Sequence, residues 1–140
     1  NTDKELNKKL KKYKNNEKIK FKNAIDQSSL KDFYNISDIF VTCSVEEGLS
    51  MVQLQAMSCG LPVVCTTHSG GQEIIDQGVN GYILPIRDKE ILKEKIFYLY
   101  ENQSFRIEMG ENAKKKANQQ FSWESYGNNA ISIYQNLLKK

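Results

Sequence analysis

Long apolar runs are missing from this 140-residue sequence: none reaches twelve residues. That excludes a transmembrane helix, and the charged first residues carry no apolar signal-peptide core. Glycine and proline together occupy only ten positions, with no Pro-, Gly- or Ser-rich stretch to act as a linker and no internal repeat. Histidine occurs once, at His68, without a cysteine or second histidine nearby, so no zinc spacing exists. Cys43, Cys59 and Cys65 are odd in number and lack Cys-x-x-Cys spacing. Two of them lie in or beside apolar, strand-like runs, where free cysteine is a small core residue, and the set implies a reducing, cytoplasmic setting. No Asp-x-Asp pair suggests a magnesium–diphosphate site. Arginine is confined to Arg87 and Arg106. Readers of nucleic acid favour arginine, so its scarcity argues against a nucleic-acid partner.

What remains is the composition of a globular domain, 39% hydrophobic and 26% charged. A chain of this length buries roughly 68–70% of its unfolded surface and needs no disulfide or metal to fold. The net charge of +3 is unevenly spread: nine of the first 22 residues are lysine, against Asp3, Glu5 and Glu17. Leu6, Leu10 and Tyr13 recur there at helical spacing, so the lysines read as the solvated side of a helix over 3–14.

Downstream, strand and helix patterns alternate. Ile19–Lys22 alternates like a short strand, and Ser29-Leu-Lys-Asp32 opens a helix with a Ser-x-x-acid start. Asp38–Cys43 and Leu61–Thr66 are near-continuous apolar runs, as in strands covered on both faces. Between them a loop, Ser44–Ser50, leads into a helix from Met51 to Cys59 that Gly60 and Pro62 close. Gly70-Gly71 introduces a short helix, and Gly81-Tyr-Ile-Leu84 is the next strand. Three helices then follow: one capped by Asp88, one over 104–119, and one from Ser122. The stripe Tyr126, Ala130, Ile133 and Leu137 on the last of these reads as core. This order predicts an α/β fold, a Rossmann-like parallel sheet with helices on both faces, ending in consecutive helices. Ligands of such sheets bind at the carboxyl ends of the strands, which directs attention to loops 22–28, 44–50 and 66–71.

Loop 44–50 carries two carboxylates, Glu46 and Glu47, and then Gly48, which permits close approach or a positive φ. Ser50 with Gln53 has the Ser-x-x-Gln spacing of a capping box. The N–H groups around Ser50, Met51 and Val52 would lie at the positive end of a helix dipole, a place suited to an anion. Carboxylates beside a phosphate cradle make sense where a hydroxyl-rich group adjoins the phosphate, because carboxylates accept hydrogen bonds from sugar hydroxyls.

The run Glu47-Gly-Leu-Ser-Met-Val-Gln-Leu-Gln55-Ala-Met-Ser-Cys-Gly60-Leu-Pro-Val-Val resembles the signature of retaining GT-B glycosyltransferases of family 4, the glycosyl transferases group 1. Their pattern has Glu, seven residues, a second Glu, and then Ala-Met-x-x-Gly-x-Pro-Val-Val. Tyr34, Asp38, Ser44, Gly70-Gly71-Gln-Glu73, Asn80-Gly81-Tyr-Ile-Leu-Pro85 and Phe121-Ser-Trp-Glu124 extend the likeness in the right order.

The resemblance implies the donor-binding, C-terminal half of a GT-B fold, a single domain over 1–140 truncated on its N-terminal side. It implies an enzyme that, as a full-length protein, transfers a hexose-type sugar with retention in polysaccharide or glycolipid biosynthesis. The donor would be a nucleotide-diphosphate sugar, with no cofactor and no metal. The acceptor would be a glycan or lipid-linked molecule held by a lobe absent from this sequence. The setting would be cytoplasmic, with at most peripheral membrane association. Residue by residue, Glu47 would contact the donor sugar as the catalytic carboxylate. Ser50, Met51 and Val52 would hold the diphosphate through backbone N–H groups, Gly48 and Leu49 would be donor-binding as well, and Gln55, in place of the second Glu, would face the ribose. Asn23, Ala24 and Ile25 would lie near the base, with His68, Gly70, Gly71 and Glu73 as further contacts. The family's phosphate-neutralising Arg or Lys precedes the first residue here, so this piece alone is expected not to catalyse. The substitution at Gln55 keeps open the alternative of a non-catalytic binding or regulatory domain.

Overall fold

The structure, a computed structural model, describes residues 8–11 and 13–138. The chain divides into two compact units, residues up to Leu30 and residues from Lys31 onward. In the first, residues 8–11 are helical, part of the basic helix expected over 3–14, and 13–15 form a turn; 3–7 and 12 lie outside the described residues. The strand expected at Ile19–Lys22 is not formed. Ile19 and Phe21 are exposed, and no strand among the described residues pairs with them. Two apolar residues between lysines offer too little burial to hold an extended segment without a ladder partner.

Helix α1 (Gln27–Asn35) begins two residues before the expected Ser29 start, because the Asp26 carbonyl accepts from the Ser29 N–H at 2.9 Å and closes the first turn earlier. The sheet has three parallel strands in the order β1 (Phe40–Val41), β2 (Val63–Thr66) and β3 (Gly81–Leu84). Val64 pairs with Val41 on one side and Tyr82 on the other. β2 is buried at every residue, as its apolar run predicts. β1 is shorter than the run 38–43 and not covered on both faces: it is an edge strand, and Val41 is exposed.

One sheet face carries Val64, Tyr82 and Leu84, which pack with Leu99 and Met109. Leu99 belongs to α3 (Lys89–Glu101) and Met109 to α4 (Gln103–Gln120). Asp88 caps α3 as expected, its Oδ1 accepting from the N–H groups of Glu90 and Ile91 at 3.2 and 3.1 Å. The other face is covered by the segment 71–75, so closely that a Cβ on Gly71 would come 2.3 Å from the Cys65 sulfur. Helix α2 (Met51–Ser58) ends in a left-handed Gly60 (φ 84°), with Gly60 and Leu61 N–H groups returning to the Met57 and Ala56 carbonyls. That bond pair is the Schellman closure that Gly60 and Pro62 announce. The expected α/β architecture, a parallel sheet between helical layers, is therefore the one observed.

The last helix, α5 (Trp123–Leu138), departs from expectation. Tyr126, Ile133 and Leu137 are exposed, Ala130 is half-buried, and no residue of the helix is buried. The stripe is apolar, but nothing among the described residues covers it, so it is not core. None of the described helices is long and apolar enough to cross a membrane.

Two helical glycines give opposite predictions. A Cβ on Gly110 of α4 would stand 2.1 Å from the Gly60 carbonyl oxygen, a backbone atom that cannot step aside, whereas one on Gly127 of α5 meets nothing within 4 Å. Overpacking should outweigh helix propensity at the first site, so Gly110→Ala lowers stability by about 1–3 kcal/mol. Gly127→Ala should raise it by about 0.5–1 kcal/mol. Thermal melts of both variants decide: a stabilised Gly110→Ala would show that α2 and α4 do not meet backbone to backbone.

Candidate functional site

The carboxyl ends of β1 and β2 each run into a loop, 44–50 and 67–70, and the two loops are seated on one another. The Thr66 hydroxyl donates to the Ser44 carbonyl. The Glu47 N–H donates to the His68 carbonyl at 2.7 Å. Gly70 lies so near the Gly48–Leu49 backbone that a Cβ there would meet the Gly48 oxygen at 2.5 Å and the Leu49 Cα at 2.6 Å. Its φ of 70° is left-handed as well. Both facts require glycine at this position. The freedom expected at Gly48 is needed at Gly70 instead. Gly48 has no positive φ, and a Cβ on it would meet nothing within 4 Å. What Gly48 offers is open approach.

This seating fixes Glu47. Its backbone is tied to His68, and its Oε2 accepts from the Ser44 hydroxyl at 2.8 Å, while the side chain stays exposed. Ser44 Oγ also lies 3.4 Å from Thr42 Oγ1, a chain of hydroxyls running back to the end of β1. Glu46 is exposed as well.

The start of α2 differs from the expected capping box. Ser50 is the N-cap in extended geometry and is buried, but its side chain makes no cap bond. Gln53 does not reach back to it. The Gln53 side chain is fully buried and turned toward the second loop, where Nε2 donates to the Ser69 carbonyl at 2.8 Å. Its Oε1 has no partner among the described residues. The physical reason is packing: Gln53 falls on the sheet-facing side of α2, where the Ser69 carbonyl is the acceptor within reach, and Ser69 is itself held by its hydroxyl on the Thr66 carbonyl at 2.7 Å. Among the described residues, the first N–H groups of α2 therefore receive no side-chain cap, and Met51 and Val52 remain exposed beside them.

The other expected residues fall as follows. Leu49 is exposed in the loop. Gln55 is half-buried one turn into α2, its Oε1 accepting from the Tyr34 hydroxyl at 3.5 Å, and burial raises the Tyr34 pKa. His68 is exposed, its Nδ1 3.3 Å from Thr67 Oγ1. Gly71 and Glu73 open and close a single 3-10 turn, Gly71 buried and Glu73 exposed. Asn23, Ala24 and Ile25 lie in the other unit, in an irregular stretch. The structure thus brings Glu47, Gly48, Ser50, His68 and Gly70 into one loop pair.

Sequence reasoning missed Thr42, Thr66 and Ser69, whose signal was their place at strand ends on the carboxyl edge. It also missed a cleft of about 190 Å³ on that edge, bordered by Thr42, Thr66, Leu84 and Arg87. Cys65 also lines it, and burial, partly offset by a hydrogen bond from Ser69, raises its thiol pKa.

Comparison with known proteins bears on the family and the fold. The family model of glycosyl transferases group 1 matches residues 1–116. A glycosyltransferase of Methanocaldococcus jannaschii is 33% identical over 124 residues, covering 88% of this chain and 32% of its own length. Among solved structures, the C-terminal domain of a glycosyl transferase group 1 family protein (LpcC) from Francisella tularensis superposes with a TM-score of 0.76 at 25% identity. That match covers 87% of this chain and 63% of the other. HepE of Anabaena, solved with UDP-glucose, has a TM-score of 0.83 at 22% identity, covering 95% of this chain and 36% of the other. The chain spans about a third of the length of the curated relatives it matches. It belongs to the glycosyl transferases group 1.

The seating of the loops can be tested at its two glycines. Gly70→Ala should cost at least about 1–3 kcal/mol, from overpacking and left-handed strain together. Gly48→Ala, with open space for its methyl group, should stay within about 0.5 kcal/mol of the parent. Denaturant titrations that found the two variants equally stable would contradict the seating.

Proposed function

From that membership we propose that the chain is the donor-binding portion of an enzyme that transfers a sugar, with retention, from a nucleotide-diphosphate sugar. The acceptor is a glycan or a lipid-linked glycan, in polysaccharide or glycolipid synthesis. The reaction belongs to the cytoplasm, at most at the inner face of a membrane, with the acceptor lobe in the remaining two-thirds of the relatives' length. The observation that carries this reading is Glu47, held by the His68 carbonyl and the Ser44 hydroxyl beside a helix start that no side chain among the described residues caps.

The chemistry follows from that placement. The diphosphate lies against the N–H groups at Ser50, Met51 and Val52, where the α2 dipole favours negative charge. As the sugar–phosphate bond breaks, charge grows on the leaving oxygen, and these fixed donors stabilise it without reorganising. Glu47 has one oxygen engaged by Ser44, and the other accepts from a hydroxyl of the sugar. Carboxylate and diphosphate repel each other, so the neutral sugar belongs between them. Gly48, open above its Cα, lets the donor approach the backbone. Gln55 gives its Oε1 to Tyr34, leaving its amide N–H groups for a ribose oxygen. Compared with the family's carboxylate, that contact lacks charge assistance and weakens donor binding by about 1 kcal/mol. His68, Gly70, Gly71 and Glu73 frame the same loop pair, and Asn23, Ala24 and Ile25 are assigned to the base.

A second reading, a non-catalytic binding or regulatory domain, is favoured by one observation, the amide at Gln55. The two readings part in a transfer assay of the full-length protein with a panel of nucleotide sugars. An enzyme loses tenfold or more of its turnover on Glu47→Ala, a loss of about 1.4 kcal/mol in transition-state binding. Equal background turnover in parent and variant selects the binding domain. In parallel, Gln55→Glu should tighten nucleotide binding about fivefold, the equivalent of that ~1 kcal/mol. Unchanged affinity would remove Gln55 from the ribose.

A further inference from the structure

The cleft on the carboxyl edge is not used by the donor reading. It lies among the ends of β1, β2 and β3 and the start of α3, and its lining includes Val45, Leu84, Leu92, Thr42, Thr66 and Arg87. Most of that lining is apolar, so a charge beside it matters more than it would in open solvent.

The two arginines of the chain have different circumstances. Arg106 is committed: its guanidinium holds Asp38 at 3.1 Å and the Leu99 carbonyl at 2.6 Å. Arg87 has no hydrogen bond or ion pair among the described residues, and it is exposed. Two other charged residues, Asp88 and Lys89, also line it. Asp88 accepts from the N–H groups of Glu90 and Ile91, and Lys89 lies 3.8 Å from Glu90.

Arg87 is also the only non-glycine described residue with a positive φ, 63°. A Cβ in that conformation costs free energy that glycine would not incur, and such outliers concentrate where function uses them. The cleft adjoins the carboxylate of the other site as well. Thr42 and Thr66, which line it, bond or approach Ser44, and Ser44 donates to Glu47.

We propose that this cleft is a subsite for an organic anion, a phosphate monoester or a carboxylate on a short apolar stem. Arg87 receives the charge, and Val45, Leu84 and Leu92 receive the stem. Guanidinium geometry suits either anion, through paired N–H donors. In the transfer reaction proposed above, on which this step alone rests, the anion belongs to the acceptor, since the donor's diphosphate is held at α2.

The test is calorimetric titration of the full-length protein with propyl phosphate, butyrate, inorganic phosphate and 1-butanol. One of the two organic anions should bind, and which one does identifies the acceptor's charged group. Inorganic phosphate and butanol, each with half of the recognition, should bind at least tenfold more weakly. Arg87→Gly should weaken the anion at least tenfold while leaving Tm unchanged or higher, because it relieves the left-handed strain. Arg87→Lys, which keeps the charge without the fork, should fall between. Absence of binding by both organic anions, or equal affinity in parent and Arg87→Gly, overturns the proposal. UDP titrated in parallel reports on the donor site separately, so failure of one reading is not mistaken for failure of the other.

Discussion

The site depends on how closely two backbone loops approach at the carboxyl edge of the sheet. Gly70 sits against Gly48 and Leu49 with no room for a methyl group, and the His68 carbonyl takes the Glu47 N–H. The Thr66 hydroxyl closes on Ser44, and Gln53 reaches from α2 to the Ser69 carbonyl. Each bond is worth about 0.5–1.5 kcal/mol by itself. Together they make the second loop a template for the first, so that the position of the Glu47 carboxylate is set by β2 as well as by β1. The Gln53 Oε1, buried beside this clamp, has no partner among the described residues.

That clamp in turn rests on the sheet. β2 is central and buried on both sides, with Val64, Tyr82 and Leu84 packed on α3 and α4 and Cys65 under Gly71. The same strand therefore anchors the core and launches the loop that aims the carboxylate. Gly110 meeting Gly60 lets α4 brace the far end of α2, the helix whose start is proposed to receive the diphosphate.

Much of this was legible in the residues. The β2 and β3 runs, the Gly60–Pro62 stop and the Asp88 cap are local signals, and each element formed where its pattern placed it. Other features depend on neighbours that a local pattern does not contain. The Ser50–Gln53 spacing has the form of a capping box, yet burial turned Gln53 inward to Ser69. Ile19–Lys22 alternates like a strand but has no ladder partner among the described residues, and β1 is apolar but stands at the edge of the sheet. The stripe on α5 has core periodicity without a described surface to cover it. Gly70 shows the same limit for the site: its sequence context announces a turn, and only the fold reveals that Gly48 lies beneath it.

The central claim is that the uncapped start of α2, framed by this loop pair, is where a nucleotide diphosphate binds. Hydrogen–deuterium exchange of the full-length protein, with and without saturating UDP, tests it most directly. The account predicts slowed exchange concentrated in residues 47–53 and 68–71, because phosphate oxygens would occupy the free N–H groups of the helix start. UDP binding with those two segments unchanged, and protection confined elsewhere, would contradict it.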